Sequence, residues 1–348
     1  MPAPVDPALV LTAAVAIVVT AVYFYYYSPH ANQPDIHPLQ LAQQSLPSRV
    51  RESPRESPVY RSKITPEGTA LASTPASEAA TLRDLIRLGR RAPRPDAAMA
   101  TIAARSIALA GGLLRTIPDT EGSTARAVAI CLESSANFLV AYQACLEAGI
   151  VAILIPAAES PAAVEAILTS SGASVLITSA AIATRFSPCI KKARRLSHTI
   201  VAGDLDGSDA AQAVRSATTV LLLADLEQGP APDQDPDIAP SDPAYVSYPS
   251  GFDASAPEGV VTTHANALAA VAGLVASVPA MHQFTRKDSF MATSSMALPA
   301  TLNFINLALL HGCSISILDT LDAEEFSKQA YLLQPTYLHL NPLLVRDL

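Results

Sequence analysis

The chain has 348 residues, half of them apolar, and a formal net charge of −8. This length and composition allow one large domain or two smaller ones with a sizeable hydrophobic core, and they exclude an intrinsically disordered chain. The negative charge, without a stripe of Lys and Arg interleaved with aromatic residues, argues against nucleic acid as a partner.

The first element in chain order is an apolar segment. Residues 8–27 form a run of 20 residues without a charge, which as a helix would span about 30 Å, the thickness of a bilayer core. The run ends in the aromatic residues 23–27, YFYYY, whose amphipathic rings favour the headgroup level. The sequence therefore predicts one transmembrane anchor within residues 1–30, with the lipid bilayer as a partner.

A cleaved signal peptide is the alternative for this segment. It is disfavoured because no Lys or Arg precedes the run and no small-x-small cleavage site follows it. Asp6 lies before the run, and basic residues such as Arg49 and Arg51 come after it. We therefore expect a short lumenal N-terminus and a cytosolic remainder.

Residues 31–80 are rich in Pro, Ser, Gln and Arg and contain a tandem RESP repeat over residues 51–58. This composition is typical of an extended linker. Phosphorylation of Ser53 and Ser57, each followed by Pro, is an alternative role for the repeat.

From residue 81 onward, β-branched apolar segments alternate with helical patterns. Strands are predicted over 128–132, 151–155, 174–178, 199–202, 290–293 and 314–318. Helices are predicted over 136–148, 161–171, around 190–196, over 265–278 and 298–311, and from the N-cap Asp322 to Pro335. Such alternation implies parallel strands joined by crossover helices, so the predicted fold class is α/β.

Neither the cysteines nor the histidines form a metal-ligand pattern. The four cysteines are widely spaced and are predicted to be reduced and mostly buried. The seven histidines show no HExxH spacing, and the chain has no Gly-x-Ser-x-Gly, Walker or Gly-x-Gly-x-x-Gly motif. We therefore assign no catalytic residue and no metal site.

Residues 248–266 read YPSGFDASAPEGVVTTHAN, which standing alone is typical of an ordinary loop. The segment also resembles the phosphate loop of adenylate-forming enzymes, the AMP-dependent synthetase/ligase superfamily, which reads Tyr-Thr-Ser-Gly-Ser/Thr-Thr-Gly-x-Pro-Lys-Gly-Val and is followed by Thr-His-x-Asn. The matching residues are Tyr248, Ser250, Gly251, Pro257, Gly259, Val260, Thr263, His264 and Asn266.

The departures from this motif fall where phosphate chemistry is expected. Phe252 and Asp253 replace the hydroxyl pair, Ala254 replaces a glycine, one residue is extra, and Glu258 replaces the lysine. Two carboxylates at ~5 Å from a triphosphate would each cost about 3 kcal/mol, roughly a hundredfold in affinity. We expect ATP to bind this loop poorly unless a cation bridges the charges.

The resemblance extends over about residues 40–348 to the N-terminal part of fungal long-chain acyl-CoA synthetases. It implies the parallel-sheet N-terminal subdomains of an adenylate-forming enzyme, incomplete, with residues 81–348 as a partial AMP-binding domain. It also implies ATP and Mg²⁺ as cofactors, fatty acid or acyl-CoA as a partner, and the endoplasmic reticulum as the membrane. By this resemblance the degenerate nucleotide-binding residues are Ser250, Gly251, Ser255 (as a substitute for a lost hydroxyl), Gly259 and His264.

Three interpretations follow from the resemblance. The lineage is that of an ATP-dependent long-chain fatty acid–CoA ligase, and the degenerate loop and the absence of the family's later segments predict that this chain is inactive. A membrane-anchored, non-catalytic binding or scaffold protein is the alternative. An incomplete gene product is the third possibility. For His264, a structural hydrogen bond at the start of a helix is the alternative to nucleotide binding.

Overall fold

The computed structural model describes residues 45–49, 59–62, 72–91, 97–117, 126–248, 257–278, 283–318 and 322–347. The chain divides into two compact units, Met1–Ala70 and Leu71–Leu348. In the first unit, strands β1 (Ser45–Arg49) and β2 (Val59–Ser62) pair antiparallel, within the stretch predicted as a linker. The predicted anchor lies outside the described residues, and none of the described helices has both the length and the apolar character that a bilayer span requires.

The second unit alternates strands and helices. The helices are α1 (Leu82–Arg90), α2 (Ala97–Thr116), α3 (Ala136–Ala148), α4 (Pro161–Ser170), α5 (Ala180–Arg185), α6 (Ser187–Lys192), α7 (Asp209–Ala217), α8 (Leu223–Leu226), α9 (His264–Ser277), α10 (Pro299–His311), α11 (Ala323–Leu333) and α12 (Pro342–Asp347). The strands are β3 (Ala127–Cys131), β4 (Val151–Leu154), β5 (Val175–Ser179), β6 (His198–Ala202), β7 (Thr219–Leu222), β8 (Pro243–Ser247), β9 (Val260–Thr263), β10 (Ser289–Ala292), β11 (Ser314–Ile317) and β12 (Tyr337–His339).

Two parallel sheets organise this unit. Seven strands lie in the order β7-β6-β5-β3-β4-β8-β9, and every neighbouring pair is parallel except β8 and β9. A second sheet has the order β11-β10-β12, with both pairs parallel. The predicted α/β class with parallel strands is confirmed.

Local signals in the sequence explain where several helices begin and end. The Ser135 side chain accepts a hydrogen bond from the Phe138 amide at the start of α3, and Gly149 ends the helix at φ 65°, a left-handed conformation that glycine adopts at little cost. Ser160 caps α4 in the same way, with Pro161 in the first turn, where proline is tolerated.

The side chains of β3 alternate between two cores. Val128 and Ile130 join the larger hydrophobic cluster, whereas Ala129 and Cys131 join a second cluster with α4, α5 and α6. The larger cluster contains residues of α3, α9, α10 and β10, so these helices connect the seven-stranded sheet to the three-stranded sheet.

Helix α1 is attached to α3 by buried charges. The Glu147 carboxylate is 4 % exposed and accepts hydrogen bonds from Arg87 Nη2 at 2.6 Å and Arg90 Nη1 at 2.7 Å. Because a buried carboxylate without a partner is strongly unfavourable, this network fixes α1 against α3. The position of α1 matters for the candidate site, which contacts the start of this helix.

The structure departs from the predicted elements at a few places. The basic helix expected around 190–196 ends at Lys192, because Ala193 leaves helical geometry and Leu196 turns into the second cluster. Helices α1, α2, α5, α7 and α8 and strands β7, β8, β9 and β12 were not among the predicted elements. The sequence signal that could have predicted α1 is the Thr81–Asp84 capping box at the start of the apolar pattern Leu82, Leu85, Ile86.

Candidate nucleotide site

The segment that resembles a phosphate loop connects β8 to β9. It leaves at the carboxyl end of β8, where Leu154 of the neighbouring β4 lies opposite Ser247. Ser247 also pairs with Val260 of β9, so the chain departs and returns at one point of the sheet edge. In open α/β sheets, ligands bind outside the carboxyl ends of parallel strands, which makes this edge the place to look for a nucleotide.

Three of the five predicted site residues, Ser250, Gly251 and Ser255, lie outside the described residues. Gly259 and His264 are described, as are the flanking residues on both sides. The structure therefore defines the two ends of the loop, which we call the hairpin frame: Tyr248 at the exit from β8, and residues 259–264 at the return.

Tyr248 starts the loop but belongs to the core. Its side chain is 5 % exposed, packs in the second hydrophobic cluster and hydrogen-bonds with the side chain of Ser170. Burial raises the pKa of this phenol above its usual value. Tyr248 therefore attaches the start of the loop to the second hydrophobic cluster.

Gly259 has a packing reason to be glycine. A Cβ atom at this position would lie 2.6 Å from Val246 Cγ1 and 3.1 Å from Tyr248 Cζ. Sequence reasoning assigned this glycine to a close approach of the backbone to phosphate, whereas the close approach in the structure is to side chains of β8.

Thr263 and His264 join β9 to α9. The Thr263 hydroxyl accepts a hydrogen bond from the Asn266 amide at 3.1 Å and caps α9. His264 is 2 % exposed, and its Nδ1 accepts a hydrogen bond from the Leu82 amide at 3.2 Å. Burial lowers the pKa of His264 to about 4, so the ring is neutral at pH 7.

This histidine satisfies a backbone group that helix α1 leaves unpaired. The Leu82 amide is in the first turn of α1, where no intrahelical acceptor exists. The ring therefore connects the start of α9 to the start of α1, the geometry expected of a structural histidine at a helix start.

Glu258 stands where the family has its lysine. Its side chain is exposed, next to Gly259 at the return of the loop. A carboxylate there repels phosphate oxygens, and Asp253 adds a second negative charge to the same loop. By the resemblance, this loop lacks the hydroxyl pair and the cation that the motif normally offers to a nucleoside triphosphate.

Sequence reasoning missed a row of polar groups at the same edge of the two sheets. Ser179 donates to the Glu133 carboxylate at 2.8 Å, and the Ser134 hydroxyl accepts from the Met296 amide at 3.2 Å, which connects the edge of β3 to the loop after β10. Thr293 donates to the His339 carbonyl at 3.2 Å. The signal was present, since a hydroxyl or carboxyl residue directly follows several predicted strands.

The cysteines contribute no nucleophile to this edge. All four are buried and reduced, as predicted. Burial raises the pKa of Cys131 and of Cys145 to about 12, so both are protonated thiols at neutral pH. Among the described residues, no group of three His, Cys, Asp or Glu side chains is arranged to hold a metal ion.

Solved structures share this fold at low sequence identity. A long-chain-fatty-acid–CoA ligase from Archaeoglobus fulgidus superposes with a TM-score of 0.59 at 16% identity, over 80% of this chain and 54% of that protein. A benzoate–CoA ligase from Burkholderia xenovorans gives 0.58 at 19% identity, over 74% and 49%. An anthranilate–CoA ligase in complex with anthranoyl-AMP gives 0.61 at 16% identity, over 77% and 51%.

The chain spans about half the length of these solved structures. No curated protein sequence matches it. A sequence profile described as AMP-binding enzyme matches residues 100–348, which is more than half of the chain. Together with the parallel-sheet fold, this match establishes that the chain belongs to the AMP-binding enzyme family.

Proposed function

We propose that this protein is a membrane-anchored, non-catalytic member of the long-chain fatty acid–CoA ligase lineage, which binds ligands or partners without activating a carboxylate. One observation carries the proposal: in the β8–β9 segment, four of the retained family residues have structural contacts, and the lost residues are those that would contact phosphate.

The retained residues support the fold by direct contacts. Tyr248 is a core residue, Gly259 makes room for Val246, Thr263 caps α9 and His264 pairs with α1. Each of these roles persists without nucleotide. A protein that no longer binds ATP would still need them in order to fold.

Of the substituted residues, the structure describes Glu258. Glu258 is exposed, and the change from Lys to Glu reverses the charge at a position that in the family faces phosphate. Each carboxylate at ~5 Å from a triphosphate weakens its binding roughly a hundredfold, so Asp253 and Glu258 together weaken it roughly ten-thousandfold. Loss of nucleotide binding with retention of the fold is the expected result.

The lineage points to acyl chains as ligands. The relatives of known structure include a long-chain-fatty-acid–CoA ligase, and the uncharged run at residues 8–27 would place the AMP-binding domain beside a membrane. We assign the anchor to the endoplasmic reticulum, with the domain in the cytosol, and fatty acid or acyl-CoA as the candidate small-molecule ligand.

Isothermal calorimetry tests the loss of nucleotide binding. The full chain, reconstituted in lipid nanodiscs, is titrated with ATP in the presence of Mg²⁺, and circular dichroism confirms that it is folded. We expect no saturable binding. Micromolar binding of ATP, or release of pyrophosphate with a fatty acid present, would overturn the proposal and support a catalytic ligase instead.

A repaired variant separates a lost charge from a lost site. Asp253→Thr combined with Glu258→Lys restores a hydroxyl and the cation of the family motif. Recovery of ATP binding by this variant, but not by the matched surface variant Glu324→Lys, would show that the two carboxylates are the cause.

A further inference from the structure

A cluster of positive charge lies in the segment that joins α6 to β6. Lys191 and Lys192 are the last two residues of α6, and Arg194 and Arg195 follow before β6 begins. All four side chains are exposed to solvent. We call these four residues the basic turn.

The sequence on both sides of the basic turn contains no acidic residue. Residues 166–203 include five Lys and Arg side chains and no Asp or Glu. The whole chain has a net charge of −8, so this stretch of 38 residues has the opposite sign to the molecule that contains it. The positive charge is therefore concentrated in one place.

Apolar residues within and beside the basic turn attach it to the core. Ile190, Ala193 and Leu196 are buried in the second hydrophobic cluster, so the charged side chains that alternate with them extend outward. The Ser197 amide donates a hydrogen bond to the Ser174 carbonyl at 2.8 Å, which joins the end of the turn to the segment before β5. The backbone of the basic turn is therefore held by the fold.

The basic turn lies at the amino ends of β5 and β6. It directly precedes β6, and a Cβ atom at Gly172, in the turn before β5, would lie 3.3 Å from Arg195 Nη1. The segment that resembles a phosphate loop leaves from the carboxyl end of β8 in the same sheet. The two surfaces therefore lie at opposite edges of the seven-stranded sheet.

Structural roles account for part of the positive charge. Lys192 Nζ donates hydrogen bonds to the Glu165 carboxylate at 2.9 and 3.0 Å, which offsets one cation. The C-terminus of a helix carries about half a negative charge, so the nearby ends of α4 and α6 offset roughly one more. Lys191, Arg194 and Arg195 form no ion pair within the part of the chain that the structure describes. About two positive charges remain.

Acidic side chains of the neighbouring elements lie at a distance from the basic turn. Glu133, Glu159 and Asp204 follow β3, β4 and β6, so they lie at the carboxyl edge of the sheet. The acidic segment 233–242 packs near Gly149, directly before β4, and β4 is three strands from β6, or roughly 14 Å at ~4.8 Å per strand. This separation exceeds the Debye length of about 8 Å at physiological ionic strength.

We propose that the basic turn is a contact surface for the anionic headgroups of a phospholipid bilayer. Exposed cations gain little from one small anion because both charges stay hydrated, whereas an anionic bilayer attracts all four side chains at once. The choice of a bilayer rests on the membrane anchor of the proposed function, since a tethered domain needs only weak contacts to stay on the surface. The contact leaves the carboxyl edge of the sheet uncovered.

Acetylation of the lysine side chains tests the contact. The full chain is mixed with vesicles of phosphatidylcholine alone or with added phosphatidylserine, and mass spectrometry measures the acetylation rate of each lysine. We expect the rates of Lys191 and Lys192 to fall at least about threefold with phosphatidylserine and to recover as ionic strength rises. Lys328, exposed on α11, should react equally in both lipids. Equal rates at Lys191 and Lys192 in the two lipids would overturn the inference.

Charge reversal locates the contact on the molecule. Arg194→Glu/Arg195→Glu should abolish the effect of phosphatidylserine on the remaining lysines of the basic turn, because each reversal replaces attraction with repulsion. The control Lys287→Glu/Lys328→Glu makes the same change in net charge at two exposed residues outside the basic turn and should retain the effect. Loss of the effect in both variants would mean that net charge governs binding, which would contradict a local contact surface.

Neutral vesicles separate this inference from the proposed anchor. Flotation of the full chain with phosphatidylcholine vesicles reports the anchor, because these vesicles have no net charge to attract the basic turn. A chain that stays in solution with phosphatidylcholine, yet shows protected Lys191 and Lys192 with phosphatidylserine, would contradict the anchor and support the basic turn. Protection by a poly-glutamate peptide or single-stranded DNA, without protection by phosphatidylserine, would contradict a lipid partner.

Discussion

The hairpin frame and the residues substituted within the phosphate motif differ in what they do for the molecule. Tyr248, Gly259, Thr263 and His264 each make a packing or hydrogen-bonding contact within the fold, whereas Glu258 is exposed to solvent. The same motif therefore contains two kinds of residue. Under the proposed function, those that support the fold are kept, and those that would contact phosphate are replaced.

This difference separates evidence for a family from evidence for an activity. A motif match that rests on frame residues establishes ancestry, because a relative that has lost its chemistry must still fold. By the resemblance, activity depends on the charges and hydroxyls of the loop, and these are the positions that differ from the motif. Variants of the hairpin frame should have the largest effects on stability, and a variant of the substituted residue Glu258 should have the smallest.

Loss of the His264 ring should have the largest effect on stability. His264→Ala removes a buried side chain and leaves the Leu82 amide without its acceptor, which should lower the free energy of unfolding by about 2–3 kcal/mol. Urea denaturation of the full chain measures this change. His264→Gln keeps an acceptor oxygen and should lose less; equal losses for the two variants would mean that the hydrogen bond contributes little.

The same residue predicts a pH dependence. The pKa of His264 is about 4 in the folded protein and about 6.5 when unfolded, so the unfolded state takes up the proton first. Its contribution to stability is complete above pH 6.5 and is lost as the pH falls towards 4, by about 3 kcal/mol in total. Stability measured between pH 7 and pH 4 should fall less steeply in His264→Gln than in the wild type.

A Cβ atom at position 259 should have the next largest effect. Gly259→Ala places a methyl group 2.6 Å from Val246 Cγ1, and the strain of overpacking should cost about 1–3 kcal/mol. Gly207→Ala is the matched control, because nothing lies within 4 Å of its Cβ position. If both variants unfold at the same denaturant concentration, the packing role of Gly259 is wrong.

Loss of the α9 cap should have a smaller effect on stability. Thr263→Ala removes the acceptor of the Asn266 amide and should lower the free energy of unfolding by about 1 kcal/mol. Thr263→Ser retains the hydroxyl and should stay close to the wild type. The difference between these two variants in thermal melting isolates the hydrogen bond from the lost methyl group.

The sequence predicted the elements that local signals define. The predicted ends of α3, α4 and α10 lie within a residue or two of the observed ones, where Ser135, Ser160 and the glycines after α3 and α10 cap the helices, because caps act over a single turn. Strand β9 was missed because Val260 and Val261 are about half exposed, and their strand exists through pairing with β8. Such pairing depends on register between strands rather than on local composition.

The contacts of the site were less predictable for the same reason. The partner of His264 is 182 residues away in sequence, and the side chains that require Gly259 belong to another strand. A motif supplies the residue types without these partners. Sequence alone therefore supplied the residue types of this segment but could not assign their contacts.

Position 258 should have the smallest effect on the fold and a large effect on binding. Glu258 is exposed, so Glu258→Lys should change the free energy of unfolding by no more than about 0.5 kcal/mol. Removing one carboxylate at ~5 Å from a triphosphate should by itself strengthen ATP binding roughly a hundredfold. Thermal melting and calorimetry on the same variant measure both quantities. A variant that melts like the wild type yet gains nucleotide affinity would separate the loop from its frame; a loss of several kcal/mol in stability would mean that Glu258 supports the fold, and the division between the two regions would fail.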